Sequence, residues 1–171
     1  MRIGLFGGSF NPVHCGHVGI ARRALEDLSL DRLIVIPAFV SPFKTDGMGL
    51  EIPPAVRLEL VRAAFAGVEK TVVDDRELRR GGVSYAIDTV REISRENPGA
   101  ELFFITGEDA LAGLPRWKDS AELQRLCSFR AYPRTVESST EIRRRMAAGE
   151  SIANLVPDSV ARILDKNVKA G

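Results

Sequence analysis

The sequence predicts an α/β protein: a doubly wound parallel sheet of about five strands with flanking helices. Three observations lead there. Short, β-branched apolar runs alternate with amphipathic helical patterns almost throughout. That alternation marks a parallel sheet covered on both faces. The first and fourth runs each stop at glycine, as strands entering a functional turn do. A length of 171 residues suits one domain, so residues 1–171 are expected to form a single unit.

Taken in order, residues 3–6 form an apolar run that ends at Gly7-Gly8 and reads as a buried strand. Residues 18–28 read as a helix in which Ile20, Ala24, Leu25 and Leu28 share a face. Residues 33–36 are the second strand, closed by Pro37. Pro53-Pro54 opens a helix with Leu58, Val61, Ala64 and Phe65 as its inner stripe, since proline is tolerated in the first turn. Residues 71–73 are the third strand. Ser84 is the expected N-cap of a helix carrying Ile87, Val90 and Ile93 at threefold spacing. Residues 102–106 are the fourth strand, stopped by Gly107. A helix over 121–126, a fifth strand over 128–132, and helices over 139–148 and 158–164 complete the chain. In such sheets ligands bind at the carboxyl ends of the strands, near the switch in strand order.

Composition narrows the function. Apolar residues make up 44% and charged residues 27%, ordinary values for a soluble globular protein. With 24 basic and 23 acidic residues the net charge is +1, so no nucleic acid polymer is expected as partner. Phosphate chemistry must then come from a local cluster of donors. Cys15 and Cys127 have no disulfide or metal-site spacing. Residues 1–6 are too short for a signal core, and no apolar run reaches membrane-spanning length. A cytoplasmic enzyme without membrane partner is the expectation.

Residues 7–17, GGSFNPVHCGH, lie between the first strand and first helix. Glycines there let backbone approach a ligand closely, and the following helix offers unpaired N–H groups to phosphate. Ser9 adds a hydroxyl, and both histidines of the chain, His14 and His17, stand here. The glycines alone also fit a plain tight turn. The pattern is neither GxGxxG nor a P-loop, and no carboxylate or cysteine completes a metal site with the histidines. Near the other end, residues 138–143, SSTEIR, place hydroxyls and Arg143 at a helix start. That arrangement suits either a second anion site or a plain N-cap.

The first loop resembles the HxGH signature of the nucleotidylyltransferase superfamily, and SSTEIR resembles its SSTxIR element. The resemblance implies a Rossmann-like fold and an ATP site made by Gly8, Ser9, Phe10, His14, Gly16 and His17 on one side. Gly107, Asp109, Ser138, Ser139, Thr140 and Arg143 form the other side. His14, His17 and Arg143 are then the catalytic candidates, with Mg²⁺ arriving on ATP. Residues 83–89, VSYAIDT, resemble the SYTxxT segment of the bacterial nicotinate-mononucleotide adenylyltransferases. TGED at 106–109 and LPRWK at 114–118 resemble their GxD and tryptophan motifs, and SPFK at 41–44 resembles PPHK. By that resemblance Lys44, Tyr85, Ala86 and Trp117 hold a pyridine mononucleotide, with Trp117 stacked on its ring and Asp109 on a ribose. Backbone donors at Tyr85 and Ala86 favour a carboxylate over an amide. The amide, another phosphate acceptor, or nucleotide binding with little turnover remain the alternatives, and a homo-oligomer is possible.

The chain departs from the family pattern in four places. Phe43 stands for histidine, Ala86 for threonine, and Glu137 for an apolar strand residue. Between Phe129 and Ser138 the family carries a much longer stretch with a helix and a strand; here residues 130–137 remain. A real gap of this kind implies one open wall of the site or a sheet one strand poorer.

Overall fold

A computed structural model describes residues 1–43 and 51–169, the last two by backbone only. Lys44, assigned to the acceptor phosphate, lies outside the described residues. The elements, in chain order, are β1 (Arg2–Gly8), α1 (Cys15–Asp27), β2 (Arg32–Pro37), α2 (Pro54–Phe65), β3 (Thr71–Val73), α3 (Arg76–Arg80) and α4 (Ala86–Glu96). They continue with β4 (Glu101–Gly107), α5 (Glu108–Ala112), a 3-10 turn (Leu114–Arg116), α6 (Ser120–Leu126), β5 (Ser128–Tyr132), α7 (Ser139–Ala147) and α8 (Asp158–Lys169).

The strands form one parallel sheet in the order β3-β2-β1-β4-β5. The near-continuous buried runs of β1, β2 and β4 have a simple cause. Successive side chains point to opposite faces, and both faces are covered. Ile3, Leu5, Ile34, Ile36, Leu102 and Phe104 pack with α4 and α6 on one side. Phe6, Leu33, Val35, Phe103 and Ile105 pack with α1, α2 and α8 on the other. The chain runs outward from β1 to β3, then returns to place β4 on the other flank of β1. The switch point is thus the crevice between the carboxyl ends of β1 and β4.

Several expectations are corrected. α1 begins at Cys15, three residues earlier than periodicity implied, because His14 is its N-cap in extended conformation (φ −142°, ψ 173°). Histidine rings do not figure among the usual capping side chains. On α2 the buried stripe is Arg57, Leu60, Val61, Ala64 and Phe65, so Leu60 replaces Leu58 and a cation joins the stripe. Ser84 does not cap α4; Tyr85 does. The Ser84 hydroxyl instead accepts the Phe39 N–H (2.9 Å), and its own N–H donates to the Val40 carbonyl (2.8 Å). These bonds, with a parallel bridge between Val40 and Val83, fasten the start of α4 to the end of β2. The short helices α3 and α5 carry no apolar stripe long enough to announce them. After β5 the chain passes directly through residues 133–138 into α7, and no described strand lies beyond β5.

Candidate active site

Two adjoining cavities open at the switch point. The larger, about 490 Å³, lies between the first loop, the end of β4 and the start of α7. The smaller, about 180 Å³, lies on the other side of the β1 end, toward α4 and Trp117. Gly7, Gly8, Ser9, Thr106 and Ala110 line both.

The first loop is built from packing as much as from glycine. Phe10 takes a left-handed backbone (φ 45°), which costs energy for a non-glycine residue. Its ring offsets that cost: it is 2% exposed and meets Phe6, Phe65 and His17 edge-on at 5.5, 6.5 and 5.0 Å. Phe10 is therefore a core anchor at the cavity floor. A Cβ at Gly8 would sit 3.2 Å from the Phe10 ring, so a side chain there would press that ring out of place by a few tenths of an ångström. Gly16 is buried against Thr135, where an added Cβ would collide with the hydroxyl.

His17 is the third residue of α1, and its Nδ1 accepts the His14 N–H (3.1 Å). A neutral His17 ring therefore carries its proton on Nε2. The two imidazoles lie 3.7 Å apart, tilted by 33°. His14 is 6% exposed, and its Nδ1 is buried with no hydrogen-bond partner among the described residues. Burial lowers its pKa from 6.5 to about 4, against the opposing charge of Glu137. Hence His14 is uncharged at neutral pH. A phosphate laid against it favours the protonated ring instead.

This has a consequence for stability. Unfolding restores the ordinary histidine pKa, so below pH 6.5 the unfolded chain takes up a proton that the folded chain refuses until about pH 4. Stability should decline across that window by up to about 3 kcal/mol and level off below it. Denaturant titrations at stepped pH should show a flatter profile for His14→Gln. Identical profiles for the two proteins would remove His14 as the cause.

The start of α7 meets this loop directly. Ser138 caps the helix by accepting the Glu141 N–H (3.1 Å), and the Ser139 hydroxyl donates to the Pro12 carbonyl (2.9 Å). Arg143 donates to the Asn11 carbonyl (2.7 Å) and approaches the Thr140 hydroxyl at 3.4 Å. Capping and facing the cavity thus coexist. Gly107 ends β4, and Asp109 lies in the first turn of α5. Asp109 is exposed at the cavity rim, 4.0 Å from Arg134.

The smaller cavity gathers Tyr85, Ala86 and Trp117. The edges of Phe104 and Phe129 hold Trp117 from the core side at 5.6 and 6.0 Å. Phe43 lies 5.6 Å from it, tilted by 35°, and is 57% exposed. A third flat ring does not fit between rings this close, so an acceptor stacked on Trp117 has to displace Phe43 or lie beside it. Sequence reasoning missed this pairing.

Sequence reasoning also missed three charged residues. Arg57, 5% exposed, donates to the carbonyls of Ser9 (2.6 Å), Ala38 (2.7 Å), Phe39 (3.0 Å) and Ile52 (3.2 Å). Glu77, 7% exposed, lines the smaller cavity and accepts the Thr89 hydroxyl at 2.6 Å. Burial pushes its pKa up, opposed by hydrogen bonds from Thr89 and Ser84. Lys118 lines the same cavity. The one available signal was Arg57 itself, a cation at stripe spacing on an otherwise apolar helix face. Among the described residues no three His, Cys, Asp or Glu side chains gather as a metal site, and no helix is long and apolar enough to cross a membrane.

The cytidylyltransferase-like family model matches residues 5–148. A Gemmatimonas aurantiaca protein that carries the name nicotinate-nucleotide adenylyltransferase is 38% identical over 189 residues, covering 94% of this chain and 88% of its own length. That alignment is longer than the stretch of this chain it takes in, so the relative has residues this chain lacks. A Vibrio parahaemolyticus structure under the same enzyme name superposes with a TM-score of 0.80 at 23% identity, covering 97% of this chain and 93% of its own. A Plasmodium falciparum nicotinic acid mononucleotide adenylyltransferase, solved with NaAD, superposes with a TM-score of 0.76 at 13% identity, covering 99% and 97%.

Proposed function

The chain belongs to the nicotinate-nucleotide adenylyltransferases of the cytidylyltransferase-like family, and from that premise we propose how its two cavities divide the reaction. The enzyme transfers the adenylyl group of ATP to nicotinate mononucleotide, giving deamido-NAD and pyrophosphate in NAD synthesis. ATP takes the larger cavity, with its phosphates on the first loop and the start of α7. The pyridine mononucleotide takes the smaller one. The observation that supports this division is the wall that the two cavities share at residues 7–9 and Thr106; substrates bound on either side of it would meet there with their phosphates. We assign the work to a single domain, and a cytoplasmic location suits both substrates.

No protein base is needed. The mononucleotide phosphate is already anionic at neutral pH and attacks the α-phosphorus of ATP in line, expelling pyrophosphate. The chain supplies alignment and charge neutralisation. His14 and His17 face the phosphates at the head of α1, where first-turn N–H groups and the helix dipole favour anions. Ser9 and Arg143 stand beside them, and Gly8 and Gly16 keep the approach open. Asp109, in the first turn of α5, is assigned to a ribose. Lys44 remains the candidate for the acceptor phosphate. Oxygen donors at the cavity (Ser9, Asp109, Glu137) suit a hard cation that arrives on ATP and keeps substrate oxygens and water as ligands. Mg²⁺ would there neutralise phosphate charge.

The test is product formation from ATP, Mg²⁺ and either nicotinate or nicotinamide mononucleotide. Dinucleotide and pyrophosphate should appear in equal amounts, with kcat/KM larger for the acid. An amide used as well or better would overturn the acceptor assignment alone. Tight nucleotide binding without product from either acceptor would leave a nucleotide-binding protein in place of an enzyme.

A further inference from the structure

Selecting a pyridine carboxylate over its amide is partly a question of charge. The backbone N–H groups at the start of α4 can donate to both oxygens of the acid but to only one of the amide, whose NH₂ is itself a donor. The acid also carries a full negative charge, which neutral donors exploit only in part. A charged group facing it adds to that preference.

Among the described residues, two charged side chains line the acceptor cavity: Glu77 and Lys118. Glu77 cannot attract a carboxylate. It is buried, it accepts the Thr89 hydroxyl, and any charge it holds has the wrong sign. Lys118 has the right sign and follows Trp117 in the chain. Its ammonium sits 4.5 Å from the centre of the Tyr85 ring and 3.3 Å from Asp88. Asp88 is shared with Arg91 at 3.5 Å, so it does not claim Lys118 alone. Arg91 in turn is drawn to Asp119 and Glu122. The Lys118 side chain is 44% exposed, which leaves its donors accessible at the cavity mouth.

Resting on the adenylyl-transfer reading above, we propose that the Lys118 ammonium, held over Tyr85 and against Asp88, selects the pyridine carboxylate over the amide. A ring lying against Trp117 carries its substituent in a cavity of about 180 Å³, within which Lys118 is the one described cation. Losing that cation acts twice: the attraction goes, and Asp88 and Glu77 are left to repel the acid. The neutral amide feels neither change. Ala86, which lacks the hydroxyl common in the family, leaves more of the discrimination to charge.

The experiment compares kcat/KM for nicotinate and nicotinamide mononucleotides in the wild type, Lys118→Gln and Lys118→Arg. Lys118→Gln should lower the acid value about three- to tenfold, the range for a partly exposed charge, and leave the amide value nearly unchanged. Lys118→Arg should keep most of the acid preference, and added salt should shrink the wild-type preference. Equal losses on both acceptors would overturn the proposal and place the ammonium on the phosphate they share. An unchanged ratio would overturn it too. If the wild type makes no product from either acceptor, the reaction reading fails. The selectivity claim is then read from binding, through the fluorescence of Trp117, the only tryptophan of the chain. Acid-selective weakening in Lys118→Gln supports the proposal there as well, and its absence overturns it.

Discussion

Replacing His17 with alanine is expected to lower kcat by roughly 10²-fold or more, the scale of losing one preorganised donor to a developing negative charge. The side chain is held for that task. Its Nδ1 is engaged by the His14 N–H, and its ring packs edge-on against Phe10 at 5.0 Å. The first bond also steadies the start of α1, so alanine removes a helix cap worth about 1 kcal/mol along with the donor. His17→Asn separates the two roles. Its carbonyl can still accept from His14, yet it lacks an imidazole at the phosphates. Both variants should release pyrophosphate slowly from saturating substrates, with the Asn protein melting closer to the wild type. Near-normal turnover in either would take His17 out of the mechanism.

Arg57→Met is expected to cost about 3–5 kcal/mol of stability and to lower the melting temperature by on the order of 10 °C. The reason is the position of its four acceptors. The carbonyls of Ser9, Ala38 and Phe39 lie beyond the ends of β1 and β2, where no neighbouring strand can satisfy them. A methionine fills the space and leaves those oxygens buried without donors, which is the costly case. Lysine keeps the charge but not the planar fork, so Arg57→Lys should fall between the two. Thermal unfolding of the three proteins decides it. A melting temperature within a degree or two of the wild type for Arg57→Met would show that the carbonyls find other partners.

The same contrast, between local signals and distant partners, separates the features legible in the sequence from the rest. The strand runs were legible because both faces of the sheet are buried, leaving uninterrupted apolar stretches such as Leu33–Ile36. The inner stripe of α4 was legible through Ile87, Val90 and Ile93. On α2 the same reasoning chose Leu58 over Leu60, because apolarity alone does not tell which side of a mixed helix faces inward. Nothing within α2 marks the cation Arg57 as part of the stripe, because its partners are all carbonyls in other segments. Ser84 looked like a cap by residue type, but the nearby backbone of Phe39 and Val40 claims it. Phe43 could be recognised as a departure from the family, yet its place beside Trp117 depends on two loops meeting.

By itself, the sequence determined the alternation of strands and helices, hence the parallel sheet. It also determined the chemistry of residues 7–17 and 138–143. These follow from side-chain period, turn residues and donor types, all encoded within a few residues of one another. Only the tertiary structure decided that β4 lies beside β1, which opens the crevice between their carboxyl ends. The tertiary structure alone also brings Arg143 to the carbonyl of Asn11, 132 positions away in the chain. Such contacts are set by burying both faces of one sheet at once and by finding a donor for every carbonyl left at its edge. Those conditions belong to the whole chain, and no local stretch carries them.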